Sequence, residues 1–235
     1  MTMTIKPIPS PLAVLLVDDH AVVREGYRRL LERSPDIRVI GEAGNSADAY
    51  QLLCQLQPAV VVMDISLPDV SGIEATRRML ARQPDVRVLV FSMHEEAIFA
   101  ARALQAGARG YITKASAPEI LIDAVRAVAR GEMFLSRDIA QTLALRNLLD
   151  DDAALKALSA REFEIMRLLV TGHTLDAIAG KLGLSYKTVA NHQSAIRQKT
   201  GAQTAVELLR IAQRSGMVPA ENSEVPGIAD NLAAD

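Results

Sequence analysis

Between residues 12 and 130 the chain switches five times from a short apolar run to an amphipathic stretch, and no other feature limits its fold so tightly. The apolar runs lie near 12–17, 37–41, 59–63, 86–91 and 109–112. The amphipathic stretches fill about 21–33, 46–56, 72–82, 95–106 and 118–130. Short aliphatic runs without polar alternation read as strands buried on both faces. The last amphipathic stretch places Leu121, Ala124, Val125 and Val128 at helical i, i+3, i+4, i+7 spacing. Pro118 suits its first turn and Gly131 its C-cap, and Gly107 closes the preceding helix in the same way. Alternating strands and helices predict a five-stranded parallel sheet covered by helices on both faces.

Polar residues stand where those strands end. Asp18 and Asp19 follow Ala13–Val17, and Asp64 follows Val60–Met63. Ser92 follows Val86–Phe91, and Lys114 lies just past Gly110–Thr113. In an open parallel sheet the C-terminal strand ends gather at one edge, where ligands bind. Three carboxylates, a hydroxyl and an ammonium then share one cleft. An aspartyl-phosphate site that works with Mg²⁺ needs that set: oxygen ligands, a nucleophilic carboxylate and donors for phosphoryl oxygens. Each residue has a plainer reading. The acidic pair caps a helix, Asp64 is a loop aspartate before Pro68 and Gly72, Ser92 caps a strand, and Lys114 is a surface cation. Only the constellation favours the site.

The remaining chain divides by composition. Residues 1–11 read as a flexible N-terminus, 12–131 as the α/β domain and 132–154 as a linker with a helix from Arg137 to about Leu149. Residues 155–215 read as an all-helical domain, and 216–235 as a disordered acidic tail with four acids and no base. The helical domain carries nine basic and four acidic side chains within a chain of net charge −2, a mild pointer to nucleic acid. Ser159-Ala160-Arg161-Glu162 and Thr204-Ala205-Val206-Glu207 are capping boxes, with Leu158 and Phe163 as a staple at the first. Thr174 and Ser185 cap two further helices, closed by Gly183 and Gly201. A short helix, a tight turn at Gly183-Leu184-Ser185 and a longer helix make a helix-turn-helix pattern. Val189, His192 and Ile196 share the inward face of the longer helix, and Lys187, Ala190, Asn191, Ser194, Arg197 and Gln198 the outward one. Cys54 stands alone and reads as a small buried thiol. No apolar stretch approaches the ~20 residues of a membrane span, so a cytoplasmic protein with no membrane partner is expected.

Taken together, these motifs resemble the NarL/LuxR type of two-component response regulator over about residues 12–214. The resemblance is carried by Leu16-Val17-Asp18-Asp19-His20 with Arg24 and Gly26, and by Met63-Asp64-Ile65-Ser66-Leu67-Pro68 with Gly72. It continues in Phe91-Ser92-Met93-His94 and in Gly107 to Lys114. In the helical domain it rests on Leu158-Ser159, Arg161-Glu162, Ile178-Ala179, Ser185, Thr188-Val189, His192, Ile196 and Lys199.

The resemblance implies a flavodoxin-like receiver followed by a four-helix DNA-binding domain. It implies Asp64 as phosphoacceptor for a sensor histidine kinase. Asp19 and Asp64 would hold Mg²⁺ directly, Asp18 through water, and Ser66 by its carbonyl. Ser92 and Lys114 would bind the phosphoryl group, and Tyr111 would act as the switch. Lys187, Asn191, Ser194, Arg197 and Gln198 would meet promoter DNA. Val206, Leu209 and Gln213 would form the dimer helix of a homodimer assembled on phosphorylation. The output is transcription regulation and not turnover catalysis. Three positions depart from the pattern: Ala177, Ala190 and Thr200. They keep open a phosphorylatable interaction protein whose output domain binds DNA poorly. An aspartyl-phosphate phosphohydrolase usually places an acid two residues after its nucleophile, and Ser66 stands there instead.

Overall fold

The computed structural model describes residues 11–148, 155 and 157–218. The expected flexibility of residues 1–10, the Asp150–Asp152 hinge and the tail beyond Val218 lie outside these. The α/β part runs β1 (Leu12–Val17), α1 (Ala21–Glu32), β2 (Ile37–Ala43), α2 (Ser46–Leu56), β3 (Val60–Met63) and α3 (Gly72–Arg82). It continues with β4 (Val88–Ser92), α4 (Ala97–Gln105), β5 (Gly110–Thr113) and α5 (Pro118–Ala129). A short β6 (Phe134–Leu135) and α6 (Arg137–Leu148) follow. The helical part is α7 (Ala160–Val170), α8 (Leu175–Leu182), α9 (Tyr186–Thr200) and α10 (Ala205–Arg214).

The sheet is parallel throughout, in the order β2-β1-β3-β4-β5-β6. Successive strand residues point to opposite faces, and this period divides the core in two. Val14, Leu16, Val60, Val62, Leu89 and Phe91 pack under α1 and α5. Leu15, Val17, Val61, Met63, Val88 and Val90 pack under α2, α3 and α4. Every residue of β3 and β4 is buried, which explains why those segments read as unbroken apolar runs.

The sequence predicts five strands, and the sheet has six. β6 is two residues long and lies parallel to β5, pairing Tyr111 with Leu135. Phe134 N–H donates to the Arg109 carbonyl (3.0 Å), and Ser136 N–H donates to the Tyr111 carbonyl (3.2 Å). A strand this short has no periodicity to read. The edge of β5 defines it. Cys54 is also corrected: it is exposed, because Ala49 and Leu53 take the inward face of α2 and the next residue turns about 100° away.

Local chemistry sets the helix ends. Asn45 and Ser71 cap α2 and α3 through their side chains, and Pro118 sits in the first turn of α5. Ser159 completes a capping box: its Oγ accepts from Glu162 N–H (3.2 Å), and Glu162 Oε2 accepts from Ser159 N–H (2.7 Å). The box expected at Thr204 is half formed. Thr204 Oγ1 accepts from Glu207 N–H (3.2 Å), but Glu207 reaches past the cap to Gln203 N–H (2.7 Å). The packed helical core extends beyond residue 215, since Met217 and Val218 are buried.

Glu162 also accepts from Lys199 Nζ at 2.7 and 2.8 Å, tying α7 to α9. Burial pushes the Glu162 carboxyl up, but Lys199 and the Ser159 N–H outweigh it and hold it below the ordinary 4.5. A carboxyl with a depressed folded-state pKa stabilises the fold above its unfolded value and loses that contribution as pH falls through the folded value. Thermal melts of Glu162→Gln are therefore expected to show a lower melting temperature at neutral pH. They are also expected to show a shallower loss of stability towards about pH 3 than the parent chain.

Candidate phosphoacceptor site and nucleic-acid interface

The order of strands places the acidic residues. The chain leaves β1 for one neighbour, β2, and returns to the other, β3, so a crevice opens at the C-terminal ends of β1 and β3. Asp18 N–H donates to the Ala43 carbonyl (3.0 Å) and Asp64 N–H to the Val17 carbonyl (2.8 Å). Each acid is thus fixed by one further rung of the ladder. Lys114 is held alike, its N–H on the Ser92 carbonyl (2.7 Å).

Asp18, Asp64 and Lys114 meet in the crevice. Lys114 Nζ stands 2.5 Å from Asp18 Oδ2 and 2.8 Å from Asp64 Oδ2, with all three side chains at most 7% exposed. The second oxygens serve the backbone: Asp18 Oδ1 accepts from His20 N–H (2.8 Å) and Asp64 Oδ1 from Ile65 N–H (2.7 Å). Asp18 therefore braces the turn that leads into α1 and faces the cleft at once. Burial pushes the Asp64 carboxyl above its ordinary range, against the pull of Lys114. Burial alone would lower the Lys114 pKa, but Asp64 and Asp18 outweigh it and raise it.

Asp19 lies at the mouth, its Oδ1 2.6 Å from His20 Nδ1. Ligand atoms of Asp18, Asp19 and His20 fall within 4.8 Å of one another. Asp64 is outside that group, its Oδ2 drawn to Lys114. Ser66 is exposed in the turn beyond Asp64. Three acids against one ammonium leave the crevice negative; His20 Nδ1 is engaged by Asp19 (2.6 Å), and carboxylate oxygens with unbalanced charge suit Mg²⁺.

Ser92 is fully buried at the end of β4, and its Oγ accepts from His94 N–H (3.3 Å). Tyr111 is buried too, with its hydroxyl donating to the His94 carbonyl (2.8 Å). Its ring therefore already points inward. His94 stacks on Phe99 with centroids 4.1 Å apart. Burial, then Arg167 and Lys114, lower its pKa to about 4, so the ring is neutral at physiological pH.

Support residues surround the cleft, and of these only Arg24 belongs to a sequence motif. The Arg24 guanidinium donates to the Asp18 carbonyl and reaches Glu42 (3.4 Å), which also accepts from Arg28 (2.7 Å). Asp69 accepts from Ser46 and Ala47 N–H at 3.0 and 3.2 Å, bracing the loop after Asp64 against α2. Glu42 and Asp69 carry no local pattern. Their roles come from neighbours about 20 residues away.

In the helical domain the helix-turn-helix forms as read. Gly183, at φ +61°, closes α8, and the Ser185 side chain accepts from Thr188 N–H (3.1 Å) to open α9. Val189 and Ile196 are fully buried and His192 is half-buried beside them. Lys187, Asn191, Ser194 and Gln198 are exposed, and Arg197 is half-buried. Ala190, read on the outward face, is half-buried and packs partly against the core. Tyr186, about half exposed at the start of α9, joins the outward surface. On α10, Val206 is exposed, Leu209 packs partly on the core and Gln213 is half-buried.

Such an acidic crevice on a parallel sheet, joined to a helix-turn-helix, defines a phosphorylatable receiver with a DNA-binding output. Comparison with known proteins agrees. Residues 14–126 match the response regulator receiver domain, and residues 156–212 match the luxR family of bacterial regulatory proteins. The response regulator GacA of Pseudomonas aeruginosa is 40% identical over 211 residues, covering 89% of this chain and 99% of its own. The response regulator UvrY of Escherichia coli is 38% identical over 210 residues, covering 88% and 96%. Among solved structures, RcsB of Salmonella typhimurium aligns with a TM-score of 0.65 at 25% identity, over 88% of this chain and 98% of that one. An RcsB–DNA complex aligns with a TM-score of 0.56 at 27% identity, over 87% and 98%. The chain belongs to the LuxR-type two-component response regulators, which are transcription regulators and not enzymes. Among the described residues no helix is long and apolar enough to cross a membrane.

Proposed function

We propose that Asp64 accepts a phosphoryl group from a sensor histidine kinase in the cytoplasm, and that this changes how the output domain engages promoter DNA. The observation that carries the reading is the buried Asp64 carboxylate 2.8 Å from Lys114 Nζ at the end of β3. In the transfer, a P–N bond to the kinase histidine breaks and a P–O bond to an Asp64 carboxylate oxygen forms. Lys114 then neutralises a phosphoryl oxygen, and the Ser92 hydroxyl turns from His94 N–H to donate to another. Asp18, Asp19 and Asp64, with the Ser66 carbonyl, would hold Mg²⁺, which supplies charge neutralisation for the phosphoryl oxygens when bound. Tyr111 follows the movement of Ser92. Intact-mass analysis with Mg²⁺ and a small phosphodonor tests the reading: one phosphoryl group per chain supports it, and an unmodified chain opposes it.

On DNA, Lys187, Asn191, Ser194, Arg197 and Gln198 form the reading surface of α9. Lys187 and Arg197 stand ten residues apart, roughly 15 Å along the helix, so they meet different base pairs. Asn191 can pair bidentately with adenine, and Asn191→Ala is expected to cost about 1–3 kcal/mol at a specific site. Binding to random DNA should barely change. Arg197, nearer the C-terminal end, suits phosphate; Arg197→Ala is expected to weaken all sequences alike and to lower the salt slope by about one. Titrations of a selected site and a random duplex across a salt series check both. Equal weakening of both duplexes by both variants would oppose this division. The exposed Val206, with Leu209 and Gln213, offers the dimer surface on α10, and two paired copies would read half-sites about one helical turn apart.

A further inference from the structure

The two domains are not merely tethered. One continuous core cluster runs from Leu15 and Val61 under the sheet to Phe163 and Ile165 in the output domain. The joint lies between α4 and α7. Arg102 of α4 donates through Nη2 to the carbonyls of Leu155 and Leu158 (the latter at 3.1 Å), the chain that leads into α7. Its guanidinium carbon also stands 4.0 Å from the centroid of the Phe163 ring. Phe99, one turn earlier on α4, meets Phe163 edge-on, with centroids 5.2 Å apart at 80°. A second tie runs from Arg161 Nη2 to the Asp69 carbonyl (2.9 Å), on the loop that follows Asp64.

This joint touches the phosphoacceptor site through His94. The His94 ring stacks on Phe99, its N–H is held by Ser92 Oγ, and its carbonyl is held by the Tyr111 hydroxyl. A phosphoryl group that draws the Ser92 hydroxyl towards itself removes the acceptor of His94 N–H. The displacement passes to Phe99 and then to Phe163 across rings already in contact. Packed cores pass such shifts on because they are close-fitted and rearrange between discrete states.

The contact is also costly to keep. Oε2 of Glu96, at the start of α4, is buried with no hydrogen-bond partner. Burial raises the Glu164 pKa and lowers that of Arg167, both on the α7 side. Glu164 is paired with Arg161 (3.1 Å), so the unmet demand at this joint is that of Glu96 Oε2, and a buried acceptor without a donor costs stability.

Docking leaves the outward side chains of α9 open to solvent, although the turn before α9 sits beside the receiver, where a Cβ at Gly183 would lie 3.7 Å from the Pro68 carbonyl oxygen. Lys187, Asn191, Ser194 and Gln198 on α9, and Val206 on α10, are all exposed while α7 is docked. The joint therefore acts on the position of α9 and not on its access to solvent.

We propose that Arg102 and Phe99 of the receiver, closing on Phe163, form an orientation latch that fixes the output domain against the unphosphorylated receiver without covering its DNA-reading helix. The release step rests on the reading of Asp64 as phosphoacceptor; the latch itself does not. In a dimer that reads two half-sites, the position of each α9 decides whether both halves are met at once.

The full chain tests this with two spin labels, one on the native exposed Cys54 and one on Gln203→Cys, diluted into excess unlabelled chain. The distance distribution is expected to be single and narrow in the parent chain. Arg102→Ala is expected to broaden it without any phosphoryl group. Phe99→Leu, which keeps an apolar side chain but removes the ring, should broaden it less. Beryllofluoride with Mg²⁺ should broaden the parent distribution. Narrow distributions in both variants would overturn the latch. So would a narrow distribution in a parent chain shown by intact mass to accept phosphate, when it is given the mimic. A parent chain that accepts no phosphate would instead oppose the phosphoacceptor reading, and the Arg102→Ala arm would still decide the latch. Binding to random duplex should agree within about twofold between the parent and Arg102→Ala; binding roughly tenfold tighter in the variant would show occlusion and overturn the orientation account.

Discussion

Asp64→Asn is expected to reduce hydroxylamine-labile phosphate on the chain to background, while leaving the fold intact by circular dichroism. The amide keeps the shape of the carboxylate and can still accept from Ile65 N–H, the 2.7 Å bond that fixes the side chain. It lacks the nucleophilic anion, and no other group in the crevice replaces it. Asp18 is buried beside it and held in the same way, by His20 N–H and Lys114, and in this account it serves the metal. Asp19 stands at the mouth beside His20. Asp19→Asn is therefore expected to slow phosphorylation by weakening Mg²⁺ binding without abolishing it. Undiminished labelling of Asp64→Asn would remove the phosphoacceptor assignment.

A second large effect is expected at Gly72. Its N–H donates to the Ile65 carbonyl (2.8 Å), which folds the loop after Asp64 back onto the start of α3. A Cβ built there would lie 1.8 Å from the Asp64 carbonyl oxygen and 2.8 Å from its carbon. Both are backbone atoms, so no side-chain rotation relieves the clash. Gly72→Ala is expected to cost on the order of 1–3 kcal/mol, as overpacked sites do. It should also slow phosphorylation, because the atoms displaced belong to the acceptor residue. Gly26 and Gly180 provide the contrast. Both lie inside helices and a Cβ at either meets nothing within 4 Å. Alanine at those positions is expected to stabilise by about 0.5–1 kcal/mol, the usual gain over glycine in a helix interior. Chemical denaturation of the three variants reads these differences. A Gly72→Ala chain as stable as its parent would mean that the loop after Asp64 is not held as described.

What the sequence discloses and what it withholds follows from the range of each interaction. β3 and β4 were legible because strands covered on both faces must be apolar along their whole length. Asp18, Asp64, Ser92 and Lys114 were legible because each ends such a strand, and the strand order brings those ends together. The sharing of Lys114 between two acids was not, since it depends on side chains 50 and 96 residues away. β6 was missed because two residues carry no period, and the half-formed box at Thr204 because Glu207 takes the Gln203 N–H instead. Ala190 was placed outward by helical spacing, yet it is half-buried and packs partly against the core. The joint between Arg102 and Phe163 has no local signature at all. Each residue is ordinary in its own helix, and only the fold brings the two together.

The coupling between receiver and output is tested most directly by DNA affinity in the full chain. A duplex selected from a random library, labelled with a fluorophore, is titrated with and without beryllofluoride and Mg²⁺, using the parent chain and Asp64→Asn. The parent is expected to bind roughly tenfold tighter with the phosphoryl mimic, within the usual range of coupling between two sites. Asp64→Asn is expected to bind with the same affinity in both conditions. Equal affinity of the parent with and without the mimic, or an equal gain in Asp64→Asn, would contradict control of this DNA-binding domain through Asp64.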